Sequence, residues 1–572
     1  MIRRVVYATP PQEIPKFPSN SGNEMAEQHN LATIGVDVGT ASVRAGLFDL
    51  RGNRLAIAIE PISIHQPKPE YAEQSSEEIW NAVGAVVRQV VQQANVPPEA
   101  VIGIGFDATC SLVVLDSADQ PLSISPTGDP RWNIIMWMDH RATREAEEIN
   151  AGGYEVLRYV GGVISPEMET PKLLWLKRHM PTVFENAGKF LDLADFLVYR
   201  STGNNIRSVC TKVCKWTYLA HESRWDESYL RALGIESILE RGRAGDAIRP
   251  LGESAGTLTP EAARHLGLTE RTQVAVGIID AHAGAVGLLG AVWSGQSRHD
   301  EAQLEQAMAL IGGTSSCLMA LSREPRFVPG VWGPYYGAVL PNMWMNEGGQ
   351  SAAGALIDYT LQHHARYAVL EAQAQAEGIS VYEVANRLID KLSAGLPYPA
   401  LLTRQLHVYP DHYGNRSPYG DPYSRGIVDG LTLDTSPEAL ALLYYATLQA
   451  LAYNIRDVLR ALSEAGYRIE QIYATGGSIR NRYWLQEHAD ATGCRIIINR
   501  EPEAMLLGGA ILGAVAAGAY PSLPAAMHAM SQPERVVEPN PATAEYHAVR
   551  FEIFREMYQQ HLERRRRMAR FT

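Results

Sequence analysis

A short turn of small residues between strand-like segments occurs twice in this sequence and constrains its fold more than any other feature. The first copy, Gly-Thr at residues 39–40, separates the apolar segments 34–38 and 43–48. The second copy, Gly-Gly-Thr-Ser-Ser at residues 312–316, precedes the apolar segment 317–321. Strand and helix patterns alternate after each copy, which is typical of α/β units. A chain of 572 residues has room for two such units, so we predict a two-domain α/β protein.

Helix signals fit between these strands. Ser75 and Glu78 form a capping box ahead of a periodic apolar segment, and Ser436 precedes Pro437 at the start of a helix that should reach Gly466. Gly476-Gly477 is predicted to open a further helix, with Asn481 one turn into it. Apolar spacing near the C-terminus predicts an amphipathic helix. Its apolar face is predicted to consist of Tyr546, Val549, Ile553, Phe554 and Met557.

These patterns divide the chain into four parts. Residues 1–30 are rich in proline and polar residues and are predicted to be a disordered tail, in which Met25 offers an alternative start. Residues 31–292 are predicted to form the first α/β domain and residues 293–535 the second. Residues 536–572 are assigned to the C-terminal amphipathic helix.

Composition excludes several classes of function. The net charge of −12 gives no support to nucleic-acid binding. Five cysteines without a CxxC pair argue against a disulfide framework and favour the cytosol. Cys210 and Cys214 could be half of a metal site, but packing is the favoured interpretation because no second ligand pair is visible. The uncharged segment 504–520 is shorter than the ~20 residues of a membrane span and is predicted to be a buried helix. The arginine run 564–567 is interpreted as complementing a helix dipole.

Three glycine turns have the chemistry of phosphate contacts. The first lets a phosphate approach backbone N–H groups, and Thr40 adds a hydroxyl. Asp37, at the preceding strand end, can hold Mg²⁺ directly or through water, and Arg44 can reach a phosphoryl group. Taken alone, this pattern also fits an ordinary hairpin. Together with the turns at 312–316 and 475–478, it suggests a nucleotide held from both domains.

Acidic and aromatic residues near strand ends are candidates for substrate contacts. Asp280 ends the apolar segment 274–279, where α/β proteins place their sites, and is either a general base or a helix N-cap. Glu347 either faces a polyol or starts a helix. Trp137 and Asp139 either line a sugar pocket or belong to the core.

Seven motifs stand in order along the chain. They are Asp37-Val38-Gly39-Thr40 with Arg44, Tyr71-Ala72-Glu73-Gln74, Trp137-Met138-Asp139-His140-Arg141, Asp280-Ala281-His282-Ala283-Gly284, Gly312-Gly313-Thr314-Ser315, Glu347-Gly348-Gly349-Gln350-Ser351 and Thr475-Gly476-Gly477. In this combination the chain resembles the FGGY carbohydrate kinases, within the actin-like ATPase superfamily. The resemblance covers about residues 31–530.

This resemblance implies a fold, a nucleotide and a set of site residues. The fold would be two ribonuclease-H-like domains hinged around a central cleft, with sugar on the N-terminal domain and ATP on the C-terminal one. Asp280 would be the catalytic base and Asp37 the residue that organises Mg²⁺. The implied sugar contacts are Asp107, Thr109, Cys110, Trp137, Asp139, Lys212, Asp280 and Glu347. The implied ATP contacts are Gly39, Thr40, Arg44, Gly313, Thr314, Ser315, Gly476, Gly477 and Asn481.

The segment 109–114 points to the sugar. It is similar to the signature of the pentulose-kinase subgroup that acts on D-ribulose, and it lacks the Arg-Glu pair of glycerol kinases and the Gln-Met-His of xylulose kinases. Lys212 and Glu347 resemble substrate contacts of L-ribulose kinases. The resemblance therefore implies phosphorylation of D-ribulose to D-ribulose 5-phosphate, with ribitol, L-ribulose and D-xylulose as alternative acceptors.

Two functions without catalysis are alternatives to a kinase. An ATP-gated switch of the actin type needs no polyol pocket, so Asp280, Asp139 and Glu347 argue against it. A sugar sensor that has lost catalysis is disfavoured because Asp37 and Asp280 are both present. The expected partners are a pentulose and ATP, with no nucleic acid and no membrane, in the cytoplasm. A homodimer is left open.

Overall fold

The computed structural model describes residues 31–571 as a mixed α/β structure; the predicted tail at 1–30 lies outside the described residues. The strands are β1 (Ala32–Val38), β2 (Ser42–Asp49), β3 (Arg54–Pro61), β4 (Glu73–Gln74), β5 (Val101–Ala108), β6 (Leu112–Asp116), β7 (Ile134–Ile135), β8 (Ala187–Asp192), β9 (Ile206–Ser208), β10 (Ala247–Arg249), β11 (Ser254–Thr257), β12 (Gln273–Ala275), β13 (Ile278–Ile279), β14 (Ala307–Gly312), β15 (Ser316–Ser322), β16 (Trp332–Tyr336), β17 (Trp344–Gln350), β18 (His407–Tyr409), β19 (Ile427–Asp429), β20 (Gln471–Gly476), β21 (Arg495–Asn499) and β22 (Pro533–Val537).

The α-helices follow the same alternation that the sequence predicts. They are α1 (Ser76–Ala94), α2 (Thr143–Ala151), α3 (Glu169–His179), α4 (Pro181–Asn186), α5 (Leu193–Thr202), α6 (Val209–Lys215), α7 (Glu227–Leu233), α8 (Pro260–Leu266), α9 (Asp280–Leu289), α10 (Gly354–Gln362), α11 (Tyr367–Glu377), α12 (Val381–Ser393), α13 (Pro437–Glu464), α14 (Arg482–Thr492), α15 (Ala504–Ala516), α16 (Leu523–Met530) and α17 (Ala544–Met568).

Two seven-stranded sheets form the centre of the molecule. The first has the strand order β11-β12-β5-β1-β2-β3, with β13 also paired to β5, and the second has the order β16-β17-β15-β14-β20-β21-β22. In each sheet a central antiparallel hairpin, β1–β2 or β14–β15, has a parallel strand beside it, β5 or β20. The repeated turn in the sequence therefore corresponds to a repeated sheet topology. The domain limits at 292 and 535 stay predictions.

Helices α9 and α15 pack against each other and against both sheets. α15 lies directly on β1 and β5, and α9 also contacts β14. Glycines permit this approach, because a Cβ atom on Gly35, Gly105 or Gly103 would overlap carbonyl oxygens of α15. This packing fixes the start of α9 beside the carboxyl ends of β1 and β5.

Several helix predictions are confirmed. The Ser75 hydroxyl accepts a hydrogen bond from the Glu78 N–H at the start of α1, and Ser436 caps α13 in the same way. The apolar segment that begins at Ala504 forms the buried helix α15. Among residues 31–571, no helix combines the length and the apolar character that a membrane span requires.

Two local predictions are wrong. The helix expected to open at Gly476-Gly477 forms there only as a short 3-10 helix, Gly477–Arg480, and the α-helix begins at Arg482, because Asn481 is its N-cap and accepts hydrogen bonds from two backbone N–H groups of the first turn. In α17, Val549 is 53% exposed, whereas Arg550 is buried and donates hydrogen bonds to backbone carbonyls of Thr403 and Leu406. An apolar pattern cannot reveal a buried arginine whose partners lie far away in the chain.

Candidate active site

Three carboxylates meet where strands of the first sheet end. Asp37 in β1 is the register partner of Asp107 in the parallel strand β5, and Ile278 of β13 pairs with Asp107 on its other side. Asp280 follows β13 directly and begins α9. Asp37 and Asp107 are buried, whereas Asp280 is partly accessible. The sequence prediction that Asp280 lies at a strand end is confirmed.

The electrostatics of this acidic group favour a bound cation. Burial and then the charge of Asp280 raise the pKa of Asp37 to about 6. Burial and the charge of Asp37 raise the pKa of Asp107 well above its usual range. No backbone N–H, amine or guanidinium among residues 31–571 donates a hydrogen bond to either carboxylate oxygen of Asp107. Buried carboxylate oxygens without a donor suit Mg²⁺, which prefers oxygen ligands. Asp107, which the resemblance assigned to the sugar, therefore fits a magnesium site together with Asp37.

The first glycine turn lies beside these acids and is held in place by its neighbours. The Gly39 N–H donates to the Ser42 carbonyl at 3.0 Å, which closes the turn. The indole N–H of Trp137 donates to the Thr40 hydroxyl at 3.1 Å, which leaves the Thr40 proton free to donate to a phosphate oxygen. A guanidinium nitrogen of Arg44 lies 3.5 Å from a carboxylate oxygen of Glu503, and the Arg44 side chain is partly exposed. Arg44 therefore brings a positive charge next to the turn.

The second and third glycine turns lie next to each other at the carboxyl ends of β14 and β20, two neighbouring strands of the second sheet. Gly312 is the register partner of Gly476, and a Cβ atom on Gly476 would overlap the Gly312 carbonyl oxygen. Gly476 has a φ of 104°, which also favours glycine. Gly313, Thr314 and Gly477 are exposed. Two accessible glycine segments thus lie side by side, as contact with a nucleotide backbone requires.

A chain of hydrogen-bonded side chains links the two sheets. Nδ1 of His282, in α9, lies 3.0 Å from the Cys210 sulfur, and Nε2 lies 3.3 Å from a carboxylate oxygen of Glu347, in β17. Although burial opposes both charges, the Cys210 thiolate and Glu347 raise the pKa of His282 to about 10, and His282 with Lys215 lowers the pKa of Glu347 to about 2. Both pKa shifts favour the form in which the imidazole is protonated and the carboxylate is ionised.

Lys215 is a site residue that the sequence reasoning missed. Burial favours its neutral form, but the neighbouring Cys110 and Glu347 raise its pKa well above the usual range. Its charge also acts on Asp280. Lys212, which the resemblance assigned to the sugar, has its amine 3.8 Å from Asp195 and over the Trp216 ring at 3.3 Å. Lys215, about one helical turn further on, has its amine 4.9 Å from the ring of Trp332, the register partner of Glu347.

Asp139 is placed differently from its predicted role. Its two carboxylate oxygens accept four hydrogen bonds, three from Arg141 and one from the Ala72 N–H, and the side chain is buried. Four bonds fill the acceptor capacity of a carboxylate, so a sugar hydroxyl has no place on it. Asp139 therefore holds the 70–74 segment in place, which a sequence motif alone cannot distinguish from a substrate contact.

Thr109, Cys110 and Asn481, which were also predicted to contact substrates, make hydrogen bonds within the protein or are buried. Thr109 and Ser111 share a hydrogen bond of 3.1 Å, and Cys110 between them is buried, which raises its pKa to about 12. The Asn481 amide caps α14 and donates to the Tyr444 hydroxyl, so its contact with ATP stays a prediction.

Comparisons with known proteins agree with this geometry. The profile of the N-terminal domain of the FGGY family of carbohydrate kinases matches residues 32–287, and that of its C-terminal domain matches residues 308–517. An FGGY carbohydrate kinase domain-containing protein of Danio rerio is 46% identical over 535 residues, with 93% of this chain and 98% of the relative covered. A D-ribulokinase of Saccharomyces cerevisiae is 38% identical over 511 residues, with 84% of this chain and 71% of the relative covered.

Solved structures establish the fold. The ligand-bound xylulose kinase of Lactobacillus acidophilus superposes with a TM-score of 0.77 at 21% identity, covering 92% of this chain and 98% of that one. The chain thus has the two-domain α/β fold of the FGGY sugar kinases, which is the actin-like ATPase fold. The chain belongs to the FGGY family of carbohydrate kinases.

Proposed function

We propose that this protein is an ATP-dependent pentulose kinase that converts D-ribulose to D-ribulose 5-phosphate. The observation that carries the proposal is the position of Asp280, a partly accessible carboxylate beside two buried acids and next to a phosphate-binding type of turn. The yeast D-ribulokinase, 38% identical to this chain, supports the choice of sugar. The five free thiols suit a reducing compartment, and we place the activity in the cytoplasm.

In the proposed reaction, Asp280 accepts the proton of the terminal sugar hydroxyl as its oxygen attacks the γ-phosphorus of ATP. The bond between that phosphorus and the β,γ-bridging oxygen breaks, and ADP leaves. Asp37 and Asp107 would hold Mg²⁺, which when bound neutralises charge on the β- and γ-phosphates. Thr40, Thr314 and Arg44 donate hydrogen bonds to phosphoryl oxygens, which is the main way in which proteins assist this reaction.

The pentulose is proposed to lie between Asp280 and the pair formed by His282 and Glu347. Lys215 supplies a cation there that can donate to a carbonyl or hydroxyl oxygen, and Glu347 supplies an acceptor. Because Glu347 belongs to the second sheet and Asp280 to the first, a sugar that contacts both would also tie the two halves together. Ribitol, L-ribulose and D-xylulose present similar hydroxyls and are the alternative acceptors.

Steady-state ADP formation with and without D-ribulose tests the proposal. We expect ADP to form only when the sugar is present, and ¹³C NMR of the product to show phosphate on carbon 5. ADP formation that is equal with and without pentulose would favour the ATP-gated switch. Binding of D-ribulose without ADP formation would favour the sugar sensor.

A further inference from the structure

Two thiols and an imidazole converge in the interior beside the proposed active site. Cys210 and Cys214 stand one turn apart on α6, and His282 faces them from α9. The sulfur atoms lie 3.0 Å and 3.9 Å from Nδ1 of His282, and all three ligand atoms are within 4.8 Å of one another. Each side chain is at most 1% exposed. The kinase mechanism uses neither sulfur.

This spacing is close to what a tetrahedral metal centre needs. Zn–S bonds of about 2.3 Å and Zn–N bonds of about 2.0 Å put a sulfur and a nitrogen about 3.5 Å apart, and two sulfurs about 3.8 Å apart, in a tetrahedral site. The observed sulfur–Nδ1 distances of 3.0 Å and 3.9 Å lie on either side of the first value, so small side-chain rotations of Cys210 and Cys214 would bring both sulfurs to it. Because the third ligand is 68–72 residues away in sequence, the cysteine spacing alone could not reveal it.

The surroundings add two observations that point to a ligand. Nε2 of His282 faces the Glu347 carboxylate, and metal-binding histidines almost always donate their second ring N–H to such a group. The phenol of Tyr335 is buried and has no hydrogen-bond partner among the described residues, and its strand β16 packs against α6. A water molecule would complete a four-coordinate site.

We propose that Cys210, Cys214 and His282 form a binding site for a thiophilic divalent cation, with Zn²⁺ as the best match. Thiolate ligands select such ions over Mg²⁺, and two thiolates balance the charge of one divalent cation in the interior. The ion would tie α6 to α9 and fix the imidazole that faces Glu347. Binding requires thiolate sulfurs and a neutral Nδ1, so protons are released as the ion enters.

Cobalt(II) titration of the full-length, chelator-treated protein in excess Mg²⁺ tests the site. We expect one Co²⁺ per chain with sulfur-to-cobalt charge-transfer absorption and strong tetrahedral d–d bands, both abolished by one equivalent of Zn²⁺. Co²⁺ bound only to carboxylates such as Asp37 gives no sulfur-to-cobalt band. Wild-type protein that shows no such band and retains no Zn²⁺ after desalting would overturn the proposal.

Variants assign the ligands. Cys210→Ser and Cys214→Ser should each abolish the sulfur-to-cobalt spectrum or weaken Zn²⁺ binding by at least ~10-fold, the low end for disturbed metal sites. Cys494→Ser removes a buried thiol elsewhere and should keep the full spectrum. Equal spectra in all three variants would overturn the assignment. Since these readouts involve no turnover, their failure is distinct from failure of the kinase proposal.

Discussion

At the scale of single residues, access to solvent separates Asp280 from its two acidic neighbours. Asp37 and Asp107 are buried, and burial together with the neighbouring carboxylates raises their pKa values. A bound cation would stabilise their ionised forms. Asp280 remains partly accessible, and its carboxylate accepts the Ala281 N–H at 2.7 Å. Of the three carboxylates, that of Asp280 thus belongs to the residue that remains accessible to an entering hydroxyl.

Replacing Asp280 with asparagine tests the general base. Asp280→Asn keeps the shape of the side chain but cannot accept a proton, so we expect kcat to fall by at least ~10²-fold. ATP affinity, measured by calorimetry, should stay close to wild type. Asp429→Asn changes an exposed aspartate in β19 and serves as the control. A variant with near wild-type turnover would rule out Asp280 as the base.

Lys215 and Lys212 make a matched pair on one short helix. Lys215→Met removes the cation beside Glu347, and we expect KM for D-ribulose to rise by about 10- to 100-fold, the range for a lost hydrogen bond to a charged group. Lys212→Met leaves the buried Asp195 uncompensated and should lower the melting temperature with little change in KM. The reverse pattern would return the sugar contact to Lys212.

Some of these residues were predictable and others were not. Asp37 and Asp280 end apolar segments, and parallel strands bring such ends together. The sequence reasoning missed Lys215 because Lys212 and Lys215 both lie on α6, and only the surrounding side chains decide which of them is closer to Glu347. The role of Asp139 depends on Arg141, whose three hydrogen bonds to that carboxylate leave no trace in a one-dimensional pattern.

At the scale of elements, α14 contains a histidine that folding keeps neutral. Burial lowers the pKa of His488 to about 3, from 6.5, while its Nδ1 lies 2.7 Å from the Trp484 carbonyl oxygen. The unfolded chain therefore takes up a proton below pH 6.5 that the folded chain takes up only near pH 3. His488 therefore does not change the free energy of unfolding above pH 6.5, and it lowers that free energy progressively as the pH falls from 6.5 toward 3.

His488→Asn should weaken the dependence of the free energy of unfolding on pH in the acid range. One such group contributes a slope of up to about 1.4 kcal/mol per pH unit, and the variant should lose that slope between pH 6 and pH 4. Urea unfolding at several pH values measures it. His363→Asn is the control, since His363 has the same contact with a carbonyl four residues earlier but is exposed. Equal slopes in wild type and His488→Asn would contradict the expectation.

Helix caps and apolar runs carried most of the element predictions. Ser75, Ser436 and the segment at Ala504 marked real helices because capping and burial are local properties. The predicted apolar face of α17 was wrong at Val549 because packing against α13 and α14 decides which residues of this helix are buried. Asn481 was mistaken for an interior helix residue although its side chain is a strong N-cap.

At the scale of the whole molecule, two sheets of matching topology are joined by the helices α9 and α15. The repeated glycine turn predicted this duplication, since each turn sits in the central hairpin of one sheet. The link from Cys210 through His282 to Glu347 was not predictable, because its members come from three separate stretches of sequence. It makes the proposed sugar site depend on both halves.

The most direct test of the proposed activity is kcat/KM for a panel of acceptors at saturating Mg²⁺-ATP. The panel consists of D-ribulose, L-ribulose, D-xylulose, ribitol and glycerol, each read as sugar-dependent ADP formation. The highest kcat/KM is expected for D-ribulose, because the segment 109–114 resembles the subgroup that acts on this sugar. A higher value for any other acceptor, or no sugar-dependent ADP at all, would contradict the account.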